Sequence, residues 1–513
     1  MNNSRSILSI LIFPAILFSA IWLGVSIATE QTQTLAYVVG GTVLVVCLLL
    51  GSRIWMIIPL AMALNLSLSI PGRPTTLILA ELLFCGFCLL LFLTRKLPLK
   101  IKFNELDFWT LLISLCVCQA YLRNPVGLNI LGGDSVGGRP YALFALTFLT
   151  SLILRNLSIP VTGLKWLLRL SIIGGLANLA VLSIGYFIPQ LGVLIGSVQV
   201  RSLEGGDLGG QYGGDQATRI GFFGAFAEKL SVWIGAFKSP IKACFHPLWA
   251  PLVLLSFTFA AFSGFRNDIA AVGLAYLVAI AYRGGIRSIL GAAGTFLLVF
   301  AALVVINLTV PLPANVQRTL TFLPGTWDED IKKDAERSTE WRVEMWEEAL
   351  FTDFWIKNKI IGDGLGMTRN EYDYIQLLGI FETTGIAGTG NLSIQQELMM
   401  ASNNYHSGPV SSIRTVGYLG LFILLLAQIR LAVHAHRQIK RARNTEWFPL
   451  TLLIGIPIIY APVFFVFIYG AFETAISVFL LGVAFVRILQ NNLPLPEYIH
   501  YRRNHPVPRI ESI

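Results

Sequence analysis

Apolar stretches long enough to cross a lipid bilayer recur along nearly the whole 513-residue chain, separated by short polar connectors. The runs are continuous rather than alternating, which predicts helices and excludes a transmembrane barrel. Arg5 precedes a first run at 7–27, longer than the core of a cleaved leader, so a retained span is expected there. Further spans are expected at 35–50, 54–70, 75–94, 108–122, 140–154, 170–189, 248–265, 268–282, 288–310, 409–429, 447–468 and 470–489.

That reading makes thirteen spans, and it fails a charge test. Basic connectors belong on the cytoplasmic side. They are Arg95/Lys96/Lys100/Lys102, Arg155/Lys165/Arg169, Arg283/Arg287 and Arg430/Arg437/Lys440/Arg441/Arg443, and thirteen crossings put the last two groups outside. A further crossing at 220–237, followed by Lys238 and Lys242, repairs the pattern. The expected fold is therefore an all-α polytopic integral membrane protein. It has about fourteen transmembrane helices, both termini cytoplasmic, and Glu228–Lys229 in mid-span, where they must pair or face a cavity.

Composition agrees. Charged residues make up 13% of the chain, against about 25% in soluble domains, and mean hydropathy is +0.67. A water-soluble globular enzyme is excluded. The net charge of +9 sits between apolar spans, where it sets topology and does not suggest a nucleic-acid partner. Six cysteines form no disulfide framework, and Cys85 and Cys88 have no second ligand pair for a metal. No internal repeat is apparent, which weakens an inverted-repeat transporter.

This topology exposes a Gly-rich loop at 190–219 and one large outer loop at 311–408. The large loop holds fifteen acidic residues against eight basic ones, so an arginine that binds an anion there must do so as a specific site. Within it, 337–351 is amphipathic at about 100° per residue. Trp341, Met345, Ala349, Trp346, Leu350 and Val343 gather on one side, the glutamates lie opposite, and Arg342 falls in the middle of the apolar face. A guanidinium buried there needs an anionic partner, from the protein or from a ligand, unless its stem carries it out to water.

Arg266 sits in a tight hairpin at the outer boundary, where Asp268 could neutralise it. Arg219, Arg139 and Arg201 are placed similarly. By this topology His406 alone among the six histidines faces outward, and an imidazole suits proton transfer near neutrality. The run GDGLG at 362–366 reads as a turn with close backbone approach rather than a nucleotide fingerprint. The Asp328–Glu329–Asp330 triplet reads as solvated charge. Outer arginines beside a membrane-mouth histidine suit a lipid-borne phosphate or pyrophosphate, because guanidinium forks match phosphate oxygens.

RIGFFGAFAEKL at 219–230, SGFRNDIAAVGLAYLVA at 263–279, RVEMWEEAL at 342–350, IIGDGLG at 360–366 and NNYHSGPVSSIRTVGYLGLFILL at 403–425 occur in that order. In sequence and order they resemble the O-antigen ligase and O-antigen polymerase family of bacterial envelope glycosyltransferases. The family's histidine segment places an acidic residue before the Gly span; here Arg414 stands near that position and Tyr405 precedes His406. The resemblance covers 200–430. It divides the chain into N-terminal spans at 1–200, a ligase-like core at 201–430 holding the periplasmic loop 311–408, and C-terminal spans with a cytoplasmic tail at 431–513.

The resemblance implies an inverting, metal-independent transfer on the outer side of the bacterial inner membrane, with no cofactor. The donor would be a glycan on undecaprenyl pyrophosphate and the acceptor a hydroxyl of a glycan or lipid, with other polysaccharide assembly proteins as further partners. His406, Arg342 and Arg266 are the implied catalytic residues. Arg219, Arg139 and Arg414 are the substrate-binding candidates. A polymerase joining lipid-linked repeat units, a lipid-linked glycan flippase and a noncatalytic scaffold are the alternatives.

Overall fold

The computed structural model describes residues 49–67, 74–95, 101–126, 137–188, 219–366 and 392–494, with isolated positions 41, 99, 371, 373, 374 and 376–378. Among them every regular element is helical. The expected span at 7–27, most of 35–50, the Gly-rich segment through residue 218 with Arg201, and the tail beyond 494 lie outside the described residues.

A 3-10 turn (Gly51–Met56) leads into α1 (Ile57–Leu64). Next come α2 (Thr76–Leu93), α3 (Glu105–Arg123), α4 (Arg139–Asn156) and α5 (Val161–Phe187). They are followed by α6 (Gly221–Phe237), α7 (Pro240–Cys244), α8 (Ala250–Phe262), α9 (Arg266–Gly284) and α10 (Ile286–Thr309). The polar stretch contributes α11 (Ala314–Leu320), α12 (Glu329–Phe351) and α13 (Ile394–Ala401). Then α14 (Gly408–Ala442), α15 (Phe448–Phe467) and α16 (Phe472–Asn492) follow. Six of these, α2, α3, α5, α14, α15 and α16, are long and apolar enough to cross a membrane, the pattern of a membrane protein.

Three boundaries depart from the hydropathy reading. The apolar run at 54–70 does not form one long helix, because Asn65 turns left-handed (φ 36°) and ends α1. Helix α5 starts well before the expected 170, since Lys165 and Arg169 lie within its first turns. Lys165 reaches Glu446 at 3.0 Å, and Arg169 lies over the Trp166 ring. Helix α14 continues past 429 through its basic residues, because Glu105 pairs with Arg430 and with His434. Long basic stems extend toward water while the helix continues beneath them.

Helices α14, α15 and α16 pack on one another, α16 also packs on α4, and α6 packs against α8, α9 and α15. At one end of the bundle Asp107 holds Arg155 at 3.0 Å and Arg487 at 3.9 Å, all three buried. Glu228 and Lys229 in α6 meet the expected condition. Lys229 Nζ donates to Ala63 O (2.7 Å), the Tyr460 hydroxyl donates to Glu228, and both residues line a cavity of about 300 Å³.

One break organises the opposite end. Within α14, Gly417 has φ 72° and interrupts the helix. The loop 359–364 docks into the gap: Lys359 O and Ile360 O accept from Tyr418 N (2.8 Å) and Leu419 N (3.1 Å). Asp363 N and Gly364 N donate to Arg414 O (2.7 Å) and Thr415 O (3.0 Å). This is the close backbone approach expected of GDGLG, with Gly362, Gly364 and Gly366 all at positive φ. A Cβ on Gly417 would lie 2.2 Å from the Ile360 carbonyl. Gly417→Ala should therefore cost roughly 1–2 kcal/mol in backbone conformation, with the clash added. The expected outcome is a melting temperature lowered by several degrees in the purified, detergent-solubilised chain; an unchanged melting curve would contradict the docked break.

Candidate functional site

The end of the bundle carrying the α14 break also carries the α8–α9 hairpin. Ser263 is buried at its turn, accepts from Phe265 N (3.2 Å) through its hydroxyl and from Ile220 N (3.1 Å) through its carbonyl. The turn is thereby fastened to the start of α6. Arg318 of α11 donates to Gly264 O (3.0 Å), and the Thr319 hydroxyl donates to Ala261 O (3.1 Å). Arg266, the first residue of α9, donates to Ala335 O (2.8 Å) and the Thr339 hydroxyl (3.2 Å). Two helices of the polar stretch are thus fastened to one hairpin. Asp268, the expected neutraliser of Arg266, packs instead against Gly224, where a Cβ would meet its carboxylate at 1.6 Å.

Helix α12 confirms the amphipathic reading and extends it toward its N-terminus. Asp328 caps it by accepting from Asp330 N (3.0 Å) and Ile331 N (3.2 Å). The acidic triplet therefore starts a helix, where negative charge complements the helix dipole. Met345 and Ala349 are fully buried, with Trp341, Trp346 and Leu350 packed beside them; Val343, at the margin of the predicted face, is exposed. Arg342 is half-buried, and its Nε is enclosed with no hydrogen-bond partner.

His406 lies in the strained turn before α14. Its own φ is 50° and that of Asn403 is 60°, both in the left-handed region that non-glycine residues seldom occupy. The turn is held by Asn404 N donating to Met399 O (2.8 Å) and by Trp346 Nε1 donating to Tyr405 O (2.7 Å). The imidazole sits between two aromatic rings, 6.0 Å from the Trp341 centroid and 5.8 Å from that of Tyr469.

Four of the six candidates, Arg219, Arg266, Arg342 and His406, gather here. Arg219 lies over the Phe265 ring at 5.4 Å. Burial, and then the charges of Arg342 and Arg219, push the His406 pKa down to about 4. Burial, and then Arg266 and Arg318, likewise lower that of Arg342. A neutral imidazole, with a free lone pair at neutral pH, thus stands among like-charged guanidiniums. No cluster of metal-ligating side chains occurs among the described residues.

Arg414 and Arg139 are placed otherwise. Arg414 pairs with Glu371 (2.8 Å) and Asp363 (3.9 Å), and Asp363 also accepts from Lys357 N and Asn358 N. Arg139 is buried at the start of α4, two residues before Tyr141, whose hydroxyl accepts from Leu365 N (2.8 Å). Arg414 therefore belongs to the packing of the 357–366 loop. Three residues of the cluster were missed from sequence. Arg318 registered only as loop charge, Trp341 as a core residue, and Tyr469 not at all; proximity to His406 and Arg342 exists only in the folded chain.

No protein-family model matches the chain, and no curated protein matches it.

The depressed pKa has a defined sign. Between about 6.5 and about 4 the unfolded chain takes up a proton at this imidazole and the folded chain does not. The residue's contribution is therefore intact above about 6.5 and is lost as pH falls toward about 4. Histidine-selective NMR should show His406 titrating near 4, and Arg342→Gln should move that midpoint up toward 6.5. A wild-type midpoint already at 6.5 would rule out the buried, like-charged environment.

Proposed function

We propose that this chain is a membrane glycosyltransferase that moves a glycan from undecaprenyl pyrophosphate to an acceptor hydroxyl, acting as an O-antigen ligase-like enzyme at the outer face of the bacterial inner membrane. The observation that carries the reading is the neutral, enclosed His406 imidazole beside Arg342, with Arg219, Arg266 and Arg318 around it. In the proposed step His406 accepts the proton of the acceptor hydroxyl as its oxygen attacks the anomeric carbon. The bond from that carbon to the pyrophosphate oxygen breaks, and the guanidiniums take up the charge that leaves. Displacement from the opposite face inverts the anomeric centre.

Two further observations support a lipid-linked donor on the outer side. Tyr469 lines a cavity of about 310 Å³ with Phe464, Phe465 and Phe479. This space and the one beside Lys229 share Glu228, Pro457, Ile458 and Val478, so apolar room for the first units of a polyprenyl chain begins at Tyr469, whose ring lies 5.8 Å from that of His406. The end remote from the cluster carries Lys165, Arg169, Arg283, Arg430, Arg437, Lys440 and Arg441. By the positive-inside rule that end is assigned to the cytoplasm in this proposal.

The test is the lipid-linked glycan of cells lacking the chain, rescued with wild type, His406→Ala or Arg342→Lys. Rescue should fail with His406→Ala. It should fall at least tenfold with Arg342→Lys, because an ammonium cannot replace the guanidinium fork. Accumulated long chains identify a ligase, and accumulated single repeat units identify a polymerase. Lipid-linked glycan unchanged in amount, length and sidedness would refute the transferase.

A further inference from the structure

The segment 351–360, which leads from α12 to the loop docked in the α14 break, is folded with two unlike faces. Ile356 is fully buried and Trp355 packs beside it, in the cluster that holds Met345 and Tyr405. Lys359 Nζ reaches back to Thr352 O (2.7 Å) and Asp353, closing the segment into a compact loop. Outward, however, it presents Phe351, Phe354 and Ile360, which are 85%, 63% and 71% exposed, beside an exposed Lys357 and an exposed Asp353 whose charge is met by Lys359. Large exposed side chains scattered singly are ordinary, but three on one ordered loop call for a covering surface.

The docking of this loop shows what that surface is. Ile360 O accepts from Leu419 N, and Lys359 O from Tyr418 N, so Ile360 abuts the first turn of α14 beyond Gly417. From Tyr418 to Ala442 that helix has 25 residues. Helix α3, 19 residues and about one bilayer core long, runs from Glu105, which pairs with Arg430, to Arg123, whose guanidinium donates to Ile361 O and Gly362 O. The docked loop and Tyr418 therefore lie level with the far end of a span, at the water–lipid boundary that tyrosine favours. Leu419 and Phe422, one turn apart, are themselves exposed on the face a bilayer covers. The exposed apolar surface of the loop therefore continues the lipid-facing surface of a span, and it carries a lysine at the height of lipid headgroups.

We propose that Phe351, Phe354 and Ile360 insert into the leaflet at this end of the bundle, making 351–360 an interfacial anchor. The anchor joins α12, which bears Arg342, to the loop braced beneath His406, so it sets the depth of both against the phosphate plane. It rests on the membrane reading of α14 alone and holds whether or not the chain is a transferase.

The test uses the full-length chain in phosphatidylethanolamine/phosphatidylglycerol liposomes, with an environment-sensitive fluorescent amino acid incorporated at Phe354 or, separately, at the exposed Lys333 in the N-terminal part of α12. Lipids carrying a nitroxide at acyl carbon 5 should quench the probe at 354 several-fold more than the probe at 333, and aqueous iodide should show the reverse order. Iodide quenching equal at the two positions, or no nitroxide quenching at 354, would overturn the anchor and leave this face to water or to a protein partner.

Discussion

A helix interrupted where it enters the membrane frees backbone donors and acceptors, and each one left buried and unpaired costs on the order of a few kcal/mol. Helix α14 is interrupted at Gly417, and the chain answers with its own backbone, as 359–364 supplies two carbonyls and two N–H groups to the gap. Much else at this end follows from that repair. Asp363 must stay in place, so its carboxylate is engaged by Lys357 N and Asn358 N and approached by Arg414. The turn preceding α14 is then confined between α12 and α15, and His406 occupies it at a left-handed φ. The strain at the imidazole and the break nine residues into the helix are parts of one arrangement.

The electrostatics of the cluster depend on the same confinement. Guanidiniums held close in a partly enclosed space repel one another, and the group that can yield is the imidazole, by giving up its proton. Two backbone carbonyls help to hold the cluster: Gly264 O receives Arg318, and Ala335 O receives Arg266. Carbonyls orient a guanidinium without cancelling its charge. The result is a neutral imidazole positioned beside several guanidiniums, the arrangement from which the proposed transfer is argued.

Much of this was legible in the sequence, and the gaps have physical causes. Arg342 showed itself because a 3.6-residue period places it among Trp341, Met345 and Ala349, where a lone cation is expensive. Arg266 showed itself because a short apolar hairpin leaves no freedom over where its charge lies. His406 was singled out by topology. What failed was anything set by contact across the fold. Asn65 ends a helix inside an apolar run that hydropathy reads as continuous. Arg414 looked like a ligand residue until Asp363 and Glu371 were brought to it from elsewhere in the chain by the fold. Arg318, Trp341 and Tyr469 join the site only through the packing of α11, α12 and the α15–α16 turn.

The protein also provides its own standard for what a structural arginine looks like. Arg155 and Arg487 share Asp107, Arg430 pairs with Glu105, and Arg414 is flanked by two carboxylates. Each of these guanidiniums sits beside a carboxylate, as the cost of an unpaired buried charge favours, whereas Arg283 is held by the carbonyls of Gly235 and Ala236. Arg342 departs from that practice. Its nearest charges are Arg266 and Arg318, its Nε has no partner, and Glu340, Glu344, Glu347 and Glu348 of its own helix belong to the opposite face. A helix carrying that many glutamates could have paired Arg342 by a shift of one position in sequence. Among the described residues no carboxylate pairs with Arg342, and the proposed function assigns it an anion from outside the chain.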